Sequence, residues 1–284
     1  MSFKQASPDI HEDPPAYPLD INRAGIRSLY IPISLEWDSS CLDVSGRLSV
    51  LISLPGSKKG VHIARLVSNV LETFDEKCMR IENALSRIAA RALSSHPDSN
   101  SAEIKIIFSV PKDGQEIPIR LGVTRKRTGE ERWHLAVSMK GTISCPCAKE
   151  VFKFYEKTDW NVTPTHMQRA LAEVKVESHK NSMSLENAME LIDLISQSFS
   201  GKLQVYLSRD EEERLIKKII NTPLFAEDLA RKIGWQLAKS SISLKADWIS
   251  VRVTSFESIH PFNVYGEVMI DGEELRNRSW YKEL

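Results

Sequence analysis

Apolar residues in this chain switch between two spacings in an order that occurs twice, and this repeat limits the fold more than any single motif does. Strand-like runs occupy 26–35 and 47–54, where Leu48, Val50, Leu51 and Ile52 cluster before the turn Pro55-Gly56-Ser57-Lys58-Lys59-Gly60. Ile63, Leu66, Val67, Val70 and Phe74 then recur at helical spacing, followed by Ile81, Leu85, Ile88, Ala89 and Ala92. Strands return at 103–110 and 133–144. The second half predicts a strand at 171–176, a helix at 185–195, a short strand at 202–207, helices at 210–220 and 224–238, and strands at 248–256 and 263–270. Pro223 suits the first turn of the last helix. Two successive strand-strand-helix-helix-strand-strand units, an α+β class with antiparallel sheets and helices on one face, is the expected architecture. The expected divisions are an extended Pro-rich arm over 1–25, a first unit over 26–150 and a second over 151–284.

Composition excludes several partner classes. Thirty-eight basic residues balance thirty-eight acidic ones, so no overall field favours nucleic acid or an anionic membrane. No apolar run reaches the length of a membrane span, and the first eighteen residues are polar. Four cysteines in 284 residues do not make a disulfide framework, which points to a reducing cytoplasm. Cys41 and Cys78 show no pattern and read as small buried hydrophobes.

Cys145-Pro146-Cys147 is different, because two thiols one residue apart at a strand end would point the same way with a proline stiffening the turn. Thiolate and imidazole are natural ligands of a catalytic Zn²⁺-type ion, and one thiolate suffices for such a site. His166 lies in a polar loop before a strand, where a lone histidine is more often ordinary surface than ligand. His260, beside Pro261 at a strand end, is the better placed imidazole. His62, Arg65 and Asn69 share a face of the first helix after Lys58-Lys59-Gly60, a phosphate-binding start or a solvated basic face. Glu227 near a helix start would complement the helix dipole, and Glu212 sits within a charge run. The Walker, dinucleotide, nucleophile-elbow and H-E-x-x-H motifs are absent from the sequence.

Seven segments, in order, carry a resemblance to a known family. They are Pro8-Asp9-Ile10; Leu54-Pro55 through Lys59-Gly60-Val61-His62-Ile63-Ala64-Arg65; Cys145-Pro146-Cys147-Ala148-Lys149-Glu150; Thr165-His166-Met167-Gln168-Arg169; Arg209-Asp210-Glu211-Glu212; Phe225-Ala226-Glu227-Asp228; and Glu257-Ser258-Ile259-His260-Pro261. Together they resemble the GTP cyclohydrolase type IB family, which includes the archaeal methanopterin-pathway cyclohydrolases. The resemblance implies the tunnelling fold (T-fold), two tandem units per chain, and a homotetramer with active sites at subunit interfaces. It implies one divalent ion per site, Zn²⁺ or Mn²⁺ with Fe²⁺ as a further option, on residues matching Cys145, His166, Glu212 and His260. Glu227 matches the carboxylate that accepts from guanine N1–H and the 2-amino group. Glu257, His62 and Cys147 are the implied proton-transfer candidates, with Glu257 also open to a guanine-side role. Lys59, Arg65, Lys149 and Arg169 are expected triphosphate contacts on charge and motif position.

The chain departs from the family pattern at Met167, Phe262 and Val264, and a shifted run leaves Glu211 as an alternative to Glu212, which the 15-residue distance to Glu227 favours. The stretch from Cys147 to His166 is also longer than in the shorter bacterial forms. The implied reaction is hydrolysis of GTP to formate and 7,8-dihydroneopterin triphosphate, on the route to tetrahydrofolate. A 2′,3′-cyclic phosphate product is the alternative within that chemistry. A catalytically inactive purine- or pterin-binding protein of the same fold is the second class, and a nitrile reductase of that fold, with a cysteine nucleophile and NADPH, is the third.

Overall fold

The computed structural model describes residues 9–37, 40–179 and 181–277, so Pro8 of the first motif and the start of the expected arm lie outside the described residues. The strands follow one another in chain order in a single eight-stranded sheet. By its contacts the chain forms two compact units. The first holds Phe108 and the residues before it with Leu121–Trp133; the second holds Ser109–Arg120 and His134 onward.

In the first unit, β1 (Ile21–Trp37) and β2 (Ser40–Leu54) form a long antiparallel hairpin with Ile26 opposite Val50 and Leu35 opposite Leu42. Helices α1 (Ile63–Phe74) and α2 (Ile81–Ser95) follow, and then β3 (Ser101–Lys112), whose Ile104 pairs with Val50. Ala102, Ile104, Ile106, Phe108 and Val110 are all buried, the period-two pattern of a strand with one face in the core. Leu66 and Val70 of α1 and Leu85, Ile88, Ala89 and Ala92 of α2 have no exposed surface. These stripes pack α1 against β1 and α2 against β2.

β4 (Gln115–Lys126) was not anticipated. Its buried Ile117, Ile119, Leu121 and Val123 alternate, but Pro118 and Gly122 interrupt the strand-forming residues.

The second unit is built on β5 (Glu131–Ser144), α3 (Pro146–Glu156), β6 (Met167–Ser178), α4 (Leu185–Ser198), α5 (Arg209–Asn221), α6 (Ala226–Lys239) and α7 (Ile242–Lys245). It ends with β7 (Trp248–Phe256), β8 (Asn263–Asp271) and α8 (Gly272–Asn277). β7 pairs antiparallel with both neighbours, Val251 lying opposite Val174 of β6 and Val268 of β8. Leu229, Ala230, Ile233 and Leu237 seat α6 on β7 and β8.

Two local expectations fail here. Residues 202–207 are not a strand: Val205 and Tyr206 are 84% and 81% exposed, so their β preference finds no neighbour to pair with. The segment beginning at Pro146 is a helix rather than a loop, because Cys145 caps it and Pro146 takes its first position.

Cys41 and Cys78 are joined in a disulfide, correcting their reading as unpaired cysteines. The pairing is set by backbone contacts distant in sequence: Met79 N–H donates to Ser34 O (3.0 Å) and Glu36 N–H to Met79 O (2.9 Å), which carries Cys78 to the hairpin. The cysteine argument for a reducing compartment therefore falls. No described helix is long and apolar enough to cross a membrane.

The crosslink spans 37 residues, and loop-closure entropy for such a span gives a stabilisation of roughly 4 kcal/mol. Cys41→Ser is expected to lower the urea midpoint under oxidising conditions and to match the parent chain in reductant. Equal midpoints without reductant would contradict the crosslink.

Candidate functional site

Where β5 runs into α3, the chain turns under several constraints. Cys145 is the N-cap of α3, and its Sγ accepts from Ala148 N–H at 3.4 Å. Its own N–H donates to His166 O (3.1 Å) and its carbonyl accepts from Thr165 Oγ1 (2.6 Å), which pins the start of β6 beside it. One residue earlier, Ser144 Oγ donates to Ile219 O (2.7 Å) and Ser144 O accepts from Leu224 N–H (3.0 Å). These bonds bring the end of α5 and the start of α6 to the same place.

The result is a pocket of about 210 Å³ lined by Cys145, His166, Gln168, Phe225, Ala226, Ser255, Glu257, His260 and Phe262, with Ile143, Leu224 and Val264 completing the wall. It is smaller than the roughly 300–1,000 Å³ of pockets that enclose a drug-sized ligand. It is therefore too small to enclose a whole drug-sized ligand.

Three of the four expected metal ligands, Cys145, His166 and His260, share this pocket with the expected acid Glu257. His166 Nδ1 is engaged by Ser258 Oγ at 3.1 Å, which leaves Nε2 as its free donor atom. His260 stacks on Phe262, with ring centroids 5.1 Å apart. Glu257 Oε1 accepts from Ser255 Oγ (2.7 Å) and Gln168 Nε2 (3.3 Å). That bond fixes which end of the Gln168 amide is nitrogen. Its Oε1 is then a buried acceptor in the pocket wall without a partner among the described residues. An unpaired buried acceptor is costly, so it marks where a ligand N–H or water belongs.

The other expected residues lie elsewhere. Glu212 is exposed in the first turn of α5 and does not line the pocket. Its alternative, Glu211, is engaged by the cap of α5, accepting from Ser208 N–H (2.8 Å) and Oγ (2.7 Å), and these bonds lower its pKa. That occupation leaves Glu212 as the free carboxylate of the two. Glu227 is exposed in the first turn of α6, next to the lining residue Ala226. β8 crosses there so closely that a Cβ on Gly266 would lie 3.0 Å from Glu227 Cα. Cys147 is exposed on α3 and does not line the pocket, so the two thiols do not point together as a strand end would have them.

Among the expected phosphate contacts, Arg169 points outward from β6 between buried Gln168 and Ala170. Lys149 has no exposed surface. Its ammonium donates to Ile220 O (2.7 Å) and Asn221 Oδ1 (2.8 Å) and lies 4.3 Å from the Trp160 ring centre, and burial lowers its pKa. It is therefore turned to the protein interior.

Lys59, His62 and Arg65 belong to the first unit. Lys59 and Arg65 are exposed, and Arg65 Nη1 donates to Ser95 O (3.2 Å). His62 Nε2 lies 3.1 Å from Glu12 Oε1 and 3.5 Å from Asp9 Oδ2. Glu12 is held down to about 2, chiefly by the Lys58 ammonium and then by His62. With His11, Asp9 and His62 form the one group of three or more His, Cys, Asp or Glu donors within 4.8 Å of one another among the described residues. The sequence signal for it was the short Asp9-x-His11 spacing, which means little until the turn at 58–60 brings His62 alongside.

The Cys145 pocket fits a divalent ion in kind, offering one thiolate, two imidazoles and a neighbouring carboxylate. As placed, those donor atoms do not all lie within 4.8 Å of one another.

The sequence model described as type I GTP cyclohydrolase folE2 matches residues 7–266. The chain belongs to that family. It is 29% identical to the GTP cyclohydrolase MptA of Aeropyrum pernix over 279 residues, covering 95% of this chain and 98% of the relative. It is 27% identical to the GTP cyclohydrolase FolE2 of Thermosipho africanus over 277 residues, covering 94% and 99%. Among solved structures, uricase from Arthrobacter globiformis superposes with a TM-score of 0.53 at 7% identity, covering 88% of this chain and 93% of the uricase. At that identity the likeness concerns the fold alone.

Replacing Lys149 by Met leaves two half-buried acceptors, Ile220 O and Asn221 Oδ1, without this donor. It is expected to lower stability by roughly 2–3 kcal/mol in urea unfolding. Unchanged stability with weakened affinity for a nucleoside triphosphate would instead assign Lys149 to the phosphates.

Proposed function

We propose that this protein is a metal-dependent GTP cyclohydrolase that converts GTP and water to formate and 7,8-dihydroneopterin triphosphate, with the pocket at Cys145 as its reaction centre. The observation that carries this reading is a coincidence: the family match covers the whole of residues 7–266, and Cys145, His166, Glu257 and His260 from three motifs far apart in sequence line one pocket. A binder without chemistry needs no such gathering of a thiol, two imidazoles and an acid.

In this reading Cys145, His166 and His260 would hold the ion, with Glu212 as the fourth ligand. When bound, a divalent ion supplies the Lewis acidity that makes hydrolysis accessible near neutral pH. The protein's own groups do the rest. Glu257, oriented by Ser255 and Gln168, takes and returns protons as the imidazole ring of guanine opens and formate leaves. The unpartnered Oε1 of Gln168 accepts from a substrate N–H. Glu227 at the adjoining helix start accepts from guanine N1–H and the 2-amino group, a bidentate match because both are donors. Phe225 and Phe262 give the pocket an apolar wall against which the guanine ring would lie.

The order β1-β2-α1-α2-β3-β4 followed by β5, β6, helices, β7 and β8 supports the tunnelling fold, with two ββααββ units and insertions in the second. Phe154 and Tyr155 on α3 are 76% and 74% exposed, an apolar face that a homotetramer would cover.

Incubation with GTP and Mn²⁺ or Zn²⁺ is expected to release formate and, after oxidation, a fluorescent pterin bearing three phosphates. A cyclic phosphate would redirect the product within the same chemistry, and no formate with any divalent ion would favour a binding protein. Glu257→Gln is expected to reduce kcat by about 10²-fold or more with the fold intact. Full turnover in that variant would remove Glu257 from proton transfer.

A further inference from the structure

The turn before α1 gathers a second set of ligand-type side chains within the first unit. Asp9 Oδ1 lies 3.0 Å from His11 Nδ1, Asp9 Oδ2 lies 3.5 Å from His62 Nε2, and the two imidazole rings are tilted with centroids 4.6 Å apart. We propose that Asp9, His11 and His62 bind one first-row divalent cation of the zinc or cobalt type, separate from any ion at Cys145, and that this ion fastens the segment 9–13 to the start of α1.

Donor spacing is compatible with a shared metal, with His11 Nδ1 hydrogen-bonded to Asp9 Oδ1 and His62 Nε2 to Glu12 Oε1 (3.1 Å) in its absence. Zinc binds nitrogen and carboxylate oxygen at about 2.0–2.2 Å, so neighbouring donors of a tetrahedral shell stand about 3.4 Å apart. The separations of 3.0 and 3.5 Å bracket that value, and the second exceeds a normal N–H···O bond. Two imidazoles and a carboxylate form a donor set that suits zinc and its neighbours in the series and leaves open positions for water.

Charge points the same way. Glu12 is matched by the Lys58 ammonium, which also reaches Asp98 at 3.3 Å. Asp9 has no lysine or arginine partner among the described residues; its ion-pair partners are the two imidazoles, which are neutral unless protonated. A divalent ion would add positive charge that these rings, when neutral, do not supply.

An independent observation lies behind His62. His96 is 7% exposed, its ring centre is 6.2 Å from that of His62, and its Nε2 is buried without a hydrogen-bond partner among the described residues. A hydrated ion beside His62 would bring water within reach of that nitrogen. The backbone is already arranged for the role: Lys59 N–H donates to His11 O (3.1 Å) and Asp13 O (2.9 Å), and Gly60 N–H to His11 O (3.3 Å). Gly60 makes this approach easy, since a Cβ there would lie 3.0 Å from His11 Cδ2 and the imidazole would have to shift by a few tenths of an ångström.

Cobalt serves as the probe because its visible bands report its ligands. The full chain and its Cys145→Ala, His11→Ala and Asp9→Asn variants are loaded with Co²⁺ and dialysed, and bound metal is counted per folded chain. His11→Ala and Asp9→Asn are each expected to hold one ion fewer than the parent. Cys145→Ala is expected to keep an ion whose spectrum lacks a thiolate-to-metal band. Equal stoichiometry and equal spectra in the parent and both first-unit variants would overturn the site, whether or not the Cys145 pocket binds metal. Chelation is expected to speed amide exchange at Lys59 and Gly60 in the parent and to leave His11→Ala unchanged. Exchange in the parent that ignores the chelator would overturn the fastening role.

Discussion

A buried ammonium holds the second unit's chemistry in place. Lys149 reaches from the first turns of α3 to the last turn of α5 and lies over Trp160, so it ties together the helix capped by Cys145, the helix that carries Glu212 in its first turn, and the loop leading to His166. Burying a charge is costly without compensation, and here two acceptors and an aromatic face provide it. With Ser144 bonded to Ile219 and Leu224, the strand end at residue 145 has little freedom. A pocket whose walls come from widely separated motifs depends on such a fixed junction.

Much of the fold was legible because burial follows period. Leu66 and Val70, Leu85 and Ile88, and Leu229 and Ile233 all read as helix faces and are all fully buried. The failures are informative. Residues 202–207 have strand-forming side chains and no strand beside them, so local preference met no tertiary support. The helix at Pro146 was hidden because Cys145 is an unusual cap, and its N-capping role depends on the N–H of Ala148.

The site was legible through motifs, and its geometry was not. Cys145, His166, Glu257 and His260 were named from sequence, and the fold lines one pocket with them. Gln168 lay in a quoted motif, yet its unpartnered oxygen becomes visible only when its nitrogen is seen bonded to Glu257. Lys149 carried the right charge for phosphate, but charge does not reveal which way a side chain turns. The Cys41–Cys78 crosslink and the Asp9-His11-His62 cluster were unreadable for one shared reason: each joins segments at least 37 residues apart, and neither spacing carries a pattern.

The central claim is that the thiol of Cys145 belongs to a metal centre that acts on GTP. X-ray absorption at the zinc edge of the loaded protein, with GTP turnover followed on the same sample, tests it most directly. The account predicts a sulfur scatterer at about 2.3 Å beside nitrogen and oxygen neighbours, lost together with turnover in Cys145→Ala. A shell of nitrogen and oxygen alone, in a protein that still releases formate from GTP, would contradict it.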